Sequence, residues 1–418
     1  MTELSQVALA IEGERLLRLF DSLSMFGSGG DGGIDRQALT GPDLAARRLV
    51  VDEMRSIGAE VLRDEAANLF FRWPGTEESY PVATGSHLDS QPGGGAYDGA
   101  YGVCAAVEIL RALAKVGHHP RHPIEGVVWT NEEGTRFRPG TMGSASFVEP
   151  GLFTTFLAAR DADGITFAEA LRDVDTQFQD VPIRSFSIPF RAFVEIHIEQ
   201  GPMLERAGIS LGLVRGVQGT RWFEFRVTGR AAHAGTTPLE QKHDAVMAAL
   251  EVADHIYRIL REGDDLLRLT IGRFVVSPNS VNVVPAQARF TVDLRHPQEY
   301  VLDAVEQDLR ALARPTVGCS VEVDRKMVMA PVRFDDQIIR ATVDALQAWK
   351  LPYMELDSGA FHDSSRLARH CPTGMIFVPS IGGESHCPSE RTNASDLVLG
   401  TQVLAETLLR LADEPLKS

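Results

Sequence analysis

Three short strings, each sitting where an apolar or glycine-rich run ends, constrain this chain more than anything else in it. They are Gly-Ser-His87-Leu-Asp89-Ser, Gly-Gly-Gly-Ala-Tyr-Asp98-Gly and Thr-Asn-Glu132-Glu133-Gly. Imidazole and carboxylate are the ligands of choice for first-row metals where no thiolate is offered. An Asp placed between two such clusters can bridge a pair of ions. An adjacent Glu-Glu pair can divide its work, one carboxylate for metal and one for protons. These strings read as parts of a metal-dependent hydrolase.

Thiolate is not on offer. The four cysteines, Cys104, Cys319, Cys371 and Cys387, are scattered without Cys-x-x-Cys spacing, against a disulfide framework or a Cys-type zinc site. Cys387 follows a candidate ligand, His386, and reads as a small neighbour. A formal net charge of −16 argues against a nucleic-acid partner, whose phosphates need a basic face. No segment has the length of a membrane span. The first residues carry Glu3, Glu12 and Glu14 and lack the basic start and apolar core of a signal peptide, so a cytoplasmic enzyme is the expectation.

At 418 residues the chain exceeds one ordinary core, and two domains are expected. Residues 5–24 carry apolar positions at helical spacing, and Gly27 to Gly33 break them. A helix through Ala45–Ile57 follows, then strands at Ala59–Leu62, Asn68–Arg72 and Pro81–Gly85, a helix at Ala100–Val116 and a buried strand at Ile124–Thr130. Such alternation predicts an α/β mixed sheet with helices on both faces, where ligands gather beyond the carboxyl ends of strands.

Around residue 214 the pattern changes. Strands at Arg221–Thr228, Leu267–Val276, Ala288–Arg295 and Ser320–Val328 alternate with helices at Leu239–Leu260 and Gln298–Leu312. That β-α-β-β-α-β order fits a ferredoxin-like α+β unit. The first style resumes with a helix at Asp336–Trp349, a strand at Thr373–Val378 and a helix at Ser395–Leu411. The organisation expected is a discontinuous domain, 1–213 with 327–418, interrupted by an inserted domain, 214–326. Gly140–Pro189 resists reading.

Taken singly, the candidate ligands each have a plainer explanation. His87-x-Asp89 after a strand is equally a hydrogen-bonded turn, and Asp98-Gly99 a turn into a helix. Asp89 is better placed to hydrogen-bond the imidazole, fixing its tautomer, than to ligate. In Val194-Glu195-Ile196-His197-Ile198-Glu199, the three polar residues share one face of a strand, and period alone does not choose among them. Ser385-His386-Cys387-Pro388 follows the last apolar strand. The weight lies in their joint occurrence, in order, at strand-to-loop junctions.

The strings GSHLDS, GGAYDGAYGV, TNEEGTRF, HIEQGP, GRAAHAGTTP, SPNSVNVVP, DLRH and SHCPSE together resemble the N-carbamoyl-L-amino-acid hydrolase, β-ureidopropionase and allantoate amidohydrolase family. This is the hydantoinase/carbamoylase branch of the M20 metallopeptidase superfamily. The resemblance runs over nearly the whole chain. It implies a catalytic α/β domain bearing two divalent metal ions and an inserted lid through which the protein forms a homodimer.

By that resemblance His87, Asp98 and His197 hold one ion, Asp98 bridges to a second held by Glu133 and His386, and Glu132 is the general base. The ions would be zinc or manganese, with cobalt or nickel also suited to these donors. His233 would reach the partner subunit's active site as oxyanion donor, and Gln218, Asn282, Arg295 and His362 would bind a small substrate bearing a carboxylate. The plainer alternative for Arg295 is a surface pair with Asp293 or Glu299. In related peptidases a carboxylate usually stands where His197 does here. That difference favours cleavage of a carbamoyl or ureido C–N bond over the alternative, an aminopeptidase or dipeptidase. Glu132 beside the ligands argues against a binding protein that has lost activity. Two departures from the family pattern bear on the substrate, Phe361 in place of glycine and Glu384 just before Ser385-His386.

Overall fold

In a computed structural model, which describes residues 4–30 and 32–413, the chain divides into two compact units. One comprises the residues up to Arg215 and those from Arg333 onward; the other is Gly216–Val332.

The first unit is built on a nine-stranded mixed sheet. Its strands run in the order Glu60–Arg63, Leu69–Trp73, Ile124–Trp129, Val82–His87, Ala192–Ile198, Thr373–Val378, Gly212–Val217 and Val332–Arg333, with Met354–Ser358 paired to Gly212–Val217 off this path. The four in the middle, from Ile124–Trp129 to Thr373–Val378, are mutually parallel. Every residue of these four is buried, as parallel strands covered on both faces require. Their chemistry-bearing residues therefore lie at one shared carboxyl edge.

Helix Ala100–Val116 is bounded by two glycines, Gly99 at φ 64° and Gly117 at φ 65°. Gly117 closes it in the left-handed conformation that ends many helices. It packs on Val82–His87, while Ala394–Asp413 packs on Thr373–Val378 and Ala192–Ile198. Among the described residues no helix is long and apolar enough to cross a membrane.

Residues 5–24 form two helices, Gln6–Leu9 and Gly13–Ser24, where periodicity suggested one. The Glu12 N–H donates to Glu108 Oε1 at 2.7 Å, and Arg15 pairs with the same fully buried carboxylate. Glu108 thus captures the chain between the two apolar runs. Gly140–Pro189 contains three helices, Met142–Val148, Pro150–Phe156 and Phe167–Gln177. The last begins with a reciprocal Thr166–Glu169 capping box, a start signal present in the sequence.

In the second unit an antiparallel sheet runs in the order Ser320–Met329, Gly219–Thr228, Gln287–His296, Arg268–Ser277. Helices Ala245–Glu262 and Glu299–Ala311 pack against it. With them the chain order is β-α-β-β-α-β. Phe223, Phe225, Phe290 and Leu294 are fully buried there, each contributing roughly 1.5–3 kcal/mol by burial. The long helix expected from Leu239 starts instead at Ala245, after a 3₁₀ turn at Leu239–Gln241. Asp244 caps it by accepting from the Val246 and Met247 N–H groups.

Candidate metal centre

The four parallel strands end together, and each delivers part of one cluster. His87 is the last residue of its strand, Glu132 and Glu133 follow Ile124–Trp129, and His197 is next to last in Ala192–Ile198. His386 lies in the loop after Thr373–Val378, at φ 57°. Such backbone strain in a non-glycine residue is concentrated at functional sites.

Asp98 is the centre of the cluster. Its Oδ1 is 3.0 Å from His197 Nε2 and 3.6 Å from His87 Nε2, while Oδ2 is 3.0 Å from His386 Nε2. Two groups of three donors result, His87–Asp98–His197 and Asp98–Glu133–His386, the ligand atoms within each lying inside 4.8 Å of one another. The first is buried throughout; in the second the His386 side chain is 48% exposed. Glu195, His197 and His362 form a third, overlapping group.

The imidazoles are pre-oriented. His87 Nδ1 meets the Asp89 carbonyl at 2.8 Å and His197 Nδ1 the Ile198 carbonyl at 2.9 Å. With a proton on each Nδ1, the Nε2 that faces Asp98 is left for a metal ion or, without one, for a second proton shared with that carboxylate. The Asp89 carboxylate does not make the His87 bond expected of it: it accepts from the Glu132 and Glu133 N–H groups, both at 3.2 Å. Gly99 is required at its place, since a Cβ there would lie 2.4 Å from the His87 ring.

The charges are crowded. Burial opposes ionisation of Asp98, but hydrogen bonds with His197, His386 and His87 hold its carboxyl well below the usual range. The bond to Asp98 raises His386 to about 9. Burial, with Asp98 nearby, pushes Glu133 up to about 7. Burial also drives Glu132 well above the usual carboxylate range, with the neighbouring His87 pulling the other way. Glu133 Oε1 is buried and has no hydrogen-bond partner among the described residues. Three imidazoles and two carboxylates that compete for protons, with one carboxylate oxygen unpartnered, fit divalent zinc, manganese, cobalt or nickel, which displace protons from such donors.

Glu132 is set differently. Its Oε2 is 3.7 Å from His87 Nε2, yet it belongs to none of the three donor groups. It is a carboxylate beside the ligands, suited to carrying a proton.

The remaining candidates divide between the units. His362, in the first, is buried, bonds Ser358 Oγ at 2.9 Å, and sets its ring 4.6 Å from that of His197. Burial and then His197 hold His362 well below 6.5, so it is neutral. Phe361 packs its ring under the Arg366 guanidinium, and Glu384 is exposed.

His233, Asn282, Arg295 and Gln218 belong to the second unit. His233 pairs with Val283 across two short strands and Ala234 donates to the Asn282 carbonyl, so His233 and Asn282 are neighbours. His233 Nδ1 accepts from the Gly235 and Thr236 N–H groups, both at 3.1 Å. Arg295 pairs with Asp293 at 2.9 Å. Gln218 Oε1 is buried with no hydrogen-bond partner among the described residues.

Several participants escaped the sequence reading. Glu195, grouped there with His197, instead accepts from Ser86 Oγ and the Ser364 N–H, and Glu199 caps the next helix through Met203 and Leu204. Buried Asp363 accepts from Ser144, and burial pushes it up to about 8. Glu390, fully buried, gathers the N–H groups of Tyr97, Asp98 and His386 and the Ser385 hydroxyl. Its place four residues after His386, in a loop holding a candidate ligand, was the available signal.

Comparison with known proteins gives the family of the chain. The model of peptidase family M20/M25/M40 matches residues 83–410. An N-carbamoyl-L-amino acid amidohydrolase of Geobacillus stearothermophilus is 37% identical over 96% of this chain and 99% of its own length. An allantoate amidohydrolase of Bacillus subtilis (strain 168) is 35% identical over 93% of this chain and 95% of its own. The crystal structure of a hydantoinase/carbamoylase family amidase from Burkholderia multivorans superposes with a TM-score of 0.90 at 38% identity, covering 97% of this chain and 99% of that one. The chain belongs to peptidase family M20/M25/M40 and, within it, to the hydantoinase/carbamoylase branch.

Proposed function

We propose that this protein is a dinuclear-metal amidohydrolase that cleaves the C–N bond of a carbamoyl or ureido group in an N-carbamoyl-L-amino acid or an allantoate-like substrate. As an enzyme it is a hydrolase of C–N bonds other than peptide bonds, in linear amides. The observation that carries the reading is Asp98, with one carboxylate oxygen toward His87 and His197 and the other toward His386. One ion would be held by His87, Asp98 and His197, the other by Asp98, Glu133 and His386. Two such ions, when bound, polarise a carbonyl and make water acidic enough to act as a nucleophile near neutral pH.

The chain's own residues do the rest. Glu132, nearly buried and outside the ligand groups, takes a proton from water as its oxygen adds to the ureido carbon. It then passes that proton to the departing amine nitrogen as the C–N bond breaks. The carbamate left behind decays to ammonia and carbon dioxide. No serine or cysteine nucleophile is needed.

His233 is proposed as hydrogen-bond donor to the developing oxyanion, a role worth roughly 3 kcal/mol. Following the family resemblance, it would serve the partner's active site in a homodimer formed through the inserted unit. Arg295 is proposed to grip the substrate carboxylate through its planar fork, with Asn282, Gln218 and His362 as further contacts.

The test is to incubate metal-loaded protein with N-carbamoyl-L-amino acids, allantoate and dipeptides while assaying ammonia and free amino acids together. Ammonia from a ureido compound supports the proposal. Amino acids from dipeptides without ammonia from any ureido compound would replace it with a peptidase.

A further inference from the structure

The segment around His362 carries a cation with an open end. Arg366 stands on the short helix Asp363–Leu367, which begins directly after Phe361 and His362. Its Cζ lies 5.3 Å from the centre of the Phe361 ring, a cation–π contact that uses up no N–H group. Its Nε donates to Thr141 Oγ1 at 3.1 Å. Nη1 and Nη2 have no hydrogen bond or ion pair among the described residues.

The two contacts place the guanidinium. Phe361 directly precedes His362, whose ring is 4.6 Å from that of His197. Thr141 donates its N–H to the Glu132 carbonyl at 2.8 Å. Arg366 therefore bridges the segment that sets His362 to the one that sets Glu132, both within the first unit.

The open end is not for want of acid. The chain has a net charge of −16, and Asp363 and Glu149, with the cation Arg369, act electrostatically on this guanidinium. Glu149 pairs with Arg369 at 3.2 Å, and Asp363 accepts from Ser144. An arginine fork matches the two oxygens of a carboxylate. With Nε spent on Thr141, the Nη1–Nη2 edge is the pair left for one. Phe361, one of the chain's two departures from the family pattern, is the ring that holds the guanidinium in place.

We propose that Arg366 is a specificity-determining residue that binds a second carboxylate on the substrate, so that the preferred substrates are ureido compounds of acidic amino acids. This rests on the ureido reading above. The carboxylate assigned to Arg295 is the one every N-carbamoyl amino acid has. The one assigned to Arg366 is present only on an acidic side chain.

The test uses metal-loaded, full-length protein and substrates that differ only in that charge. N-carbamoyl-L-glutamate is paired with N-carbamoyl-L-glutamine, and N-carbamoyl-L-aspartate with N-carbamoyl-L-asparagine. The parent should favour the acid of at least one pair in kcat/KM. Arg366→Met keeps an unbranched side chain over Phe361 and removes the fork. Its acid-to-amide ratio should fall about 10–100-fold, the worth of a hydrogen bond to a charged group, with most of the change in KM. Arg366→Lys, which keeps the charge, should recover part of that ratio. A parent without acid preference overturns the proposal. So does a ratio that Arg366→Met leaves unchanged, including equal loss on both members of a pair, the mark of a structural role. A parent that releases ammonia from no ureido compound overturns the ureido reading instead. Calorimetry with L-glutamate and L-glutamine then decides on Arg366: acid-selective binding lost in Arg366→Met supports its role, and equal binding of the two by the parent removes it.

Discussion

Asp98 and Glu390 are joined through the backbone: the Asp98 N–H donates to Glu390 Oε1 at 3.1 Å, while Glu390 Oε2 accepts from the Ser385 hydroxyl at 2.9 Å and the His386 N–H at 3.3 Å. One buried carboxylate thereby ties Asp98 to His386, the most exposed imidazole of the cluster. Two loops nearly three hundred residues apart in sequence meet on it (|i−j| 292).

Glu390→Gln tests this link. An amide cannot accept on both of its heavy atoms, so at least one of these N–H or O–H donors is left facing another donor. The buried cost is on the order of 1–3 kcal/mol. The variant should melt at lower temperature and bind Mn²⁺ more weakly than the parent. Parent-like melting and ion affinity would show that the loops hold their spacing without Glu390.

Glu132→Gln separates proton transfer from metal binding. Glu132 stands 3.7 Å from His87 but outside the donor groups, so metal content by elemental analysis should match the parent. Turnover should fall about 10²–10⁴-fold, the range of a general acid–base contribution. Full activity would remove Glu132 from the role. Loss of metal in step with activity would make it a ligand.

The sheet and the strings that carry the clustered imidazoles and carboxylates were legible in the sequence because both depend on local patterns. Ala100–Val116 coincides with its helix from end to end, bracketed by Gly99 and Gly117, and Thr373–Val378 does so as a strand. What escaped is what depends on partners distant in sequence. The run 5–24 broke at Glu12 because Glu108 captures that residue's N–H, and no periodicity carries that information. Asp89 was expected to bond the His87 ring through its carboxylate; the ring takes the Asp89 carbonyl instead, freeing the side chain to hold the Glu132 and Glu133 N–H groups. The segment Gly140–Pro189 was unreadable because its first two helices are each seven residues long, too short to show a period, although the capping box at Thr166 marked the third.

Gly99→Ala tests how tightly the first donor group is packed. The residue has φ +64°, and a Cβ would lie 2.4 Å from His87 Cε1 and Nε2, the nitrogen that faces Asp98. Either the ring moves or the backbone does, and both disturb the helix start that carries Asp98. Metal content should fall and activity with it by at least about tenfold, the scale for misplacing a ligand's support. A variant that retains parent-like metal and turnover would mean that the loop yields at little cost.

The cysteines offer a further check on the fold. All four are free, with Cys104, Cys319 and Cys371 buried and Cys387 partly exposed. Burial pushes the Cys371 thiol up to about 12 and raises Cys104 and Cys319 as well. The thiolate is the reactive form, so at pH 8 a thiol near 12 is ionised to only about one part in ten thousand, and its sulfur is also shielded from reagent. Labelling of the native protein with an aromatic disulfide at pH 8 should therefore titrate one thiol rapidly, at Cys387, and four after denaturation. Cys387→Ser should abolish the fast phase. A fast thiol remaining in that variant would show that one of the three buried positions opens to solvent on the labelling timescale. Such opening at Cys104 or Cys371 would be in the first unit, and at Cys319 in the second, so peptide mapping of the label would identify the unit that loosens.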